Sequence, residues 1–88
     1  METSDLTKID VSLSSGHTLR LVVLSHQSPQ IIDLLMGRQP EEGTDGVDAF
    51  FANNGDVLCV DDQTNTYSEI KISAVVAITH YYGGHHAR

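Results

Sequence analysis

The sequence predicts an α+β fold: an antiparallel sheet of two hairpins with one main helix packed on one face, in ββαββ order. Three observations lead there. Residues 8–13 and 19–23 alternate apolar and polar side chains on either side of a glycine turn. Residues 28–36 carry a broad apolar stripe behind Ser28-Pro29, and residues 67–80 form a long strand-like run preceded by the short apolar segment 57–60. A chain of 88 residues makes one modest core, so a single domain is expected over 8–80, with 1–7 and 81–88 as flexible termini.

The first strand is predicted where Ile9, Val11 and Leu13 alternate with Lys8, Asp10 and Ser12. Ser14-Ser15-Gly16-His17 supplies the turn, Gly16 being free to take the positive φ of a tight hairpin. Leu19, Leu21 and Val23 then share one face of the second strand, with Arg20 on the other. Ser28-Pro29 opens a helix, because proline at the first helical position gives up no hydrogen bond. Ile31, Ile32, Leu34, Leu35 and Met36 form its apolar stripe, and Gly37 or Pro40 ends it.

Residues 39–46 are acidic and loop-like. Over 45–54 the spacing of Val47, Phe50 and Phe51 favours a second short helix; a strand with Asn53-Asn54-Gly55 as its hairpin turn is the competing reading. In either case Phe50 and Phe51 are expected to fix this segment to the core. Residues 57–60 form a strand and 62–66 a polar turn into the long run. There Ile70, Ile72, Ala74, Val76 and Ile78 keep period two against Glu69, Lys71 and Ser73, until Val75 and Ala77 interrupt the polar side. Either both faces are covered near the end, or Ser73-Ala74 makes a short turn that resets the register.

Composition narrows the function. Twelve acidic against five basic residues give a net charge of −7, which opposes binding to phosphate backbones and leaves nucleic acid a poor partner. No apolar run is long enough to span a membrane, and the N-terminal residues lack the basic and apolar parts of a signal peptide, so a cytoplasmic location is expected. The single Cys59 has no internal disulfide partner, and its apolar strand makes it a core residue rather than a nucleophile.

His80, His85 and His86 cluster near the end, but adjacent histidines on a tail do not fix four ligands, so no metal or cofactor is expected. Glu41-Glu42, Asp45, Asp48 and Asp61-Asp62 do not match a calcium loop and are expected in solvated turns. No phosphate-binding glycine loop or nucleophile–base arrangement is present, which argues against an enzyme. Tyr81 and Tyr82, just past the last strand, are the candidate partner surface. The expected function is a protein-binding or self-associating module, a homo-oligomer formed by pairing an exposed strand edge.

Two resemblances accompany this picture. The segment Ile9-Asp-Val-Ser-Leu-Ser-Ser-Gly-His-Thr-Leu-Arg-Leu resembles the first hairpin of β-grasp, ubiquitin-like proteins, and Gly83-Gly84 looks like the diglycine through which such modifiers are activated and conjugated. That resemblance implies an alternative function, a modifier exposed at Gly84 after removal of residues 85–88. Over residues 8–79 the chain is also similar to small hairpin-helix-hairpin proteins of bacteria and their phages, which end in a comparable Ser-Ala-Val-Val-Ala strand and imply no activity. The final strands resemble Sm-like RNA-binding barrels as well, against which stand the acidic charge and the early hairpin.

Overall fold

A computed structural model describes residues 5–41 and 43–81. It contains six strands and one α-helix: β1 (Leu6–Leu13), β2 (Thr18–Leu24), α1 (Ser28–Leu35), β3 (Ala49–Ala52), β4 (Val57–Asp61), β5 (Tyr67–Lys71) and β6 (Val75–Tyr81). The strands form two antiparallel sheets, ordered β2-β1-β6 and β3-β4-β5. The α+β class therefore holds, while the single sheet in ββαββ order does not.

The first hairpin follows its side-chain pattern. Ile9 faces Leu21 and Val11 faces Leu19 across β1 and β2, and the turn closes by Leu13 N–H donating to the His17 carbonyl, with Gly16 at φ 94°. The chain then makes a single 3-10 turn over Ser25–Gln27 before α1 begins at Ser28. The Ser28 hydroxyl donates back to the Ser25 carbonyl at 2.9 Å, so it ties helix to turn and caps no amide. At the other end Gly37 adopts φ 75°, and two bonds, Arg38 N–H to the Asp33 carbonyl and Gly37 N–H to the Leu34 carbonyl, complete a Schellman cap.

The expected helix at 45–54 is replaced by β3. Asn53, Asn54 and Gly55 all take positive φ, a left-handed run that asparagine and glycine tolerate better than other residues and that no right-handed helix could include. The turn folds β3 back on β4, pairing Phe50 with Cys59 and Phe51 with Leu58.

The long C-terminal run is two strands. A 3-10 turn at Ile72–Ala74 carries the chain from the second sheet to the first, so the register reset at Ser73-Ala74 is the alternative that occurs. The corner is held at both ends: Ile72 N–H donates to the Asp56 carbonyl, and Ser14 N–H donates to the Ala74 carbonyl. Beyond it β6 pairs with β1, with an irregularity beside Ser12 and Leu13. Leu6, Thr7 and Tyr81, expected in flexible termini, lie within β1 and β6.

One cluster unites the inner faces. Ile9, Val11, Leu21 and Val23 from the first sheet meet Ala49, Leu58, Val60 and Ile70 from the second, and Ile31, Leu34 and Leu35 of α1 join them. Burying such side chains contributes roughly 1.5–3 kcal/mol each relative to exposure, the main force holding the two sheets face to face.

Candidate functional site

Of the two tyrosines singled out from the sequence, Tyr81 lies on the outer face of the first sheet; Tyr82, Gly83 and Gly84 lie outside the described residues. Tyr81 stands beside a cross-strand charge pair. Asp10 on β1 directly faces Arg20 on β2, and the guanidinium donates to both carboxylate oxygens, at 2.7 and 2.9 Å. The Tyr81 hydroxyl donates to the same carboxylate at 3.1 Å, and the Arg20 guanidinium lies 5.4 Å from the Tyr81 ring centroid. The hydrogen bond from Arg20 holds the Asp10 carboxyl below the usual carboxylate range, assisted by Tyr81, and Asp10 in turn raises the Arg20 pKa. The result is a fixed polar cluster that orients the last residue of β6.

The strand itself presents the more telling surface. Odd residues of β1 direct their backbone groups toward β2, as the bonds from Leu13 N–H to His17 and from Ser25 N–H to the Asp5 carbonyl show. Even residues of β1 therefore bond to their β6 partners Ala77, Thr79 and Tyr81. Ile78, between them, directs its N–H and C=O away from β1 to the outer edge, with which no described strand pairs.

The other three sheet edges are each protected among the described residues. On β2, Val22 N–H donates to the Asp62 carboxylate at 3.1 Å and its carbonyl accepts from Gln63 N–H at 2.8 Å. Strand β5 carries Glu69 and Lys71, and β3 is only four residues long. Strand β6 runs seven residues, Val-Val-Ala-Ile-Thr-His-Tyr, without an Asp, Glu, Lys or Arg, and its Val76 is 64% exposed.

Asp62, expected in a solvated turn, is instead 6% exposed and joins the two sheets. One carboxylate oxygen accepts from Thr64 N–H, the Thr64 hydroxyl and Thr66 N–H; the other accepts from Val22 N–H on β2. Burial acts to raise its pKa, but the donors from Thr64, Val22 and Thr66 outweigh it, and the carboxyl sits below its ordinary value. The signal was in the spacing Asp62-Gln-Thr64-Asn-Thr66, since an aspartate readily accepts from the amide two residues on. Gln27 does similar work at the other end of the molecule, donating to the Gly46 carbonyl and accepting from Asp48 N–H, both at 3.0 Å.

The phenylalanines do not fix a loop to the core. Phe50 is 58% exposed on the outer face of the second sheet, and Phe51, though it pairs with Leu58, is also largely exposed at the sheet edge. Cys59 is a core residue in its burial, at 2% exposed, yet it lies on the outer face between Phe50 and Glu69. The Cys59 thiol beside the Tyr67 hydroxyl, together with partial burial and the nearby Glu69, pushes the Tyr67 phenol up to about 12. A spectrophotometric titration is expected to show one tyrosine ionising well after ordinary phenols, which ionise near pH ~10, and Tyr67→Phe to remove that late step. Tyr67 loses the favourable neutral form only as pH rises through its folded value, so the stability it contributes fades in the same alkaline window.

A shallow groove of about 500 Å³ lies between the start of α1 and residues 38–41, but its cation, Arg38, is already held by Asp33 at 2.9 Å. Among the described residues no group of three His, Cys, Asp or Glu side chains is placed to hold a metal, and no helix is long and apolar enough to cross a membrane. The chain matches no family model, no curated protein and no solved structure.

Proposed function

We propose that this protein acts by association rather than catalysis, and that it pairs with a second copy of itself along β6. The observation that carries this is the contrast among the four sheet edges: only β6 is long, free of Asp, Glu, Lys and Arg, and unpaired at Ile78 by any other described strand. In a chain of net charge −7, two copies repel at most approaches, and a charge-free strand is where that repulsion is least. Antiparallel pairing about a two-fold axis joins identical edges and extends the first sheet across both protomers, the ladder bonds of Ile78 being satisfied by the partner. The Arg20–Asp10–Tyr81 cluster keeps the end of β6 in register for that encounter.

Val76→Lys tests this directly, because a lysine on an edge strand blocks strand addition at little cost to the folded monomer. Light scattering and analytical ultracentrifugation are expected to show a dimer for the native chain, and a shift of about ten-fold or more in dissociation constant for the variant. A native chain that remains monomeric at millimolar concentration refutes the proposal.

A further inference from the structure

The outer face of the second sheet carries a different surface, independent of β6. Phe50 and Tyr67, 58% and 54% exposed, stand over the buried Cys59, with Ala52 and Val57 continuing the apolar strip along the same face. Carboxylates rim it. Asp61 lies opposite Tyr67, Glu69 lies beyond Cys59 from Phe50, and Asp48, whose carbonyl accepts from Asp61 N–H, prolongs the row of Phe50 past the end of β3. Lys71 is the one cation in these rows.

Two exposed rings bordered by three carboxylates do not suit a nucleic acid or an anionic lipid surface, which the carboxylates repel. Nor do they suit the same face of a second copy, which would set acid against acid. They suit a segment with apolar side chains at its centre and cations at its flanks. We propose that this face docks a cationic peptide segment of another protein, an apolar side chain covering Phe50 and Tyr67 while flanking arginines or lysines meet Asp48, Asp61 and Glu69. Aromatic side chains supply most of the energy in such contacts, and the charges set orientation and encounter rate. The Cys59 thiol is itself buried, at 2% exposed, so it adds no exposed polar group between Phe50 and Glu69.

The probe is a short fluorescein-labelled peptide of alternating arginine and leucine, with its glutamate-for-arginine counterpart as reference, followed by fluorescence anisotropy against the full chain. The arginine peptide is expected to bind saturably and the glutamate peptide not to bind. Affinity is expected to fall by about ten-fold or more in the double variant Phe50→Ala/Tyr67→Ala and, separately, in Asp61→Lys/Glu69→Lys, while Val76→Lys leaves it unchanged. Circular dichroism and melting curves check that each variant is folded, and because the two pairs differ in chemistry, one remains informative where the other unfolds. Absence of saturable binding, equal binding of both peptides, or a smaller loss in a folded variant of either pair overturns the proposal.

Discussion

Replacing Asp62 with alanine is expected to destabilise the protein by about 3 kcal/mol, since buried donors left without an acceptor cost roughly 1–3 kcal/mol each and bonds to a charged group are at the strong end. Four donors lose their acceptor at once: Thr64 N–H and hydroxyl, Thr66 N–H, and Val22 N–H on the other sheet. Asp62→Asn is expected to lie between, because its amide oxygen can serve the turn or Val22 but its NH2 then opposes a donor on the remaining side. Urea denaturation measures both. The dependence on pH identifies the cause: the folded carboxyl is held below its ordinary value, so its contribution is complete above about pH 4, where the unfolded carboxyl is ionised, and is lost as pH falls through the lower folded value. The stabilities of native chain and Asp62→Asn are therefore expected to converge in acid. A difference that stays constant from neutrality to strong acid would assign the effect to packing.

The second large effect is expected at Leu58. It is fully buried in the central strand of the second sheet, between Phe51 and Ile70, and Leu58→Ala is expected to cost about 2–5 kcal/mol through lost burial and the cavity left behind. For a chain of this length the whole stability is about 4–13 kcal/mol, so the variant sits near the edge of folding. Phe50→Ala, one strand away and a larger truncation, is expected to cost under about 1 kcal/mol, because the ring is mostly in water already. Thermal and urea unfolding of the pair measure the contrast. Equal losses would mean that Phe50 is buried in solution by a contact absent from the single chain.

The same contrast explains what the sequence does and does not reveal. Ile9, Val11, Leu21 and Val23 alternate cleanly because one face of their hairpin is core and the other water, and Pro29 and Gly37 mark the ends of α1 by backbone chemistry that packing does not override. Strand β3 is ambiguous in the sequence because Phe50 and Phe51 put aromatic rings on both faces, which erases period two and leaves a spacing that also fits a helix; the competing reading, a strand turned by Asn53-Asn54-Gly55, is the one that occurs. The second sheet was hidden by the run 67–80, whose two strands read as one across Ile72–Ala74; the interruption at Val75 is visible, but not which of its two remedies the chain adopts. The position of β6 at the edge of its sheet and the protected edges of β2, β3 and β5 depend on which strands are neighbours, which is settled by long-range pairing that local pattern does not encode.

The corner at Ile72–Ala74 also bears on how the molecule comes to be folded. Sheet β3-β4-β5 is a meander of neighbours in the chain and can close by short loops, whereas β1 receives its second partner from residues 75–81. Until those residues are free to fold, the even positions of β1, Lys8, Asp10 and Ser12, expose their backbone groups, and the first hairpin remains a two-stranded ribbon, a state marginal in water. Closing such a sequence-distant pair is the slow kind of folding event. During synthesis on the ribosome, a nascent chain would therefore carry an open strand edge on β1 for as long as β6 is still within the exit tunnel.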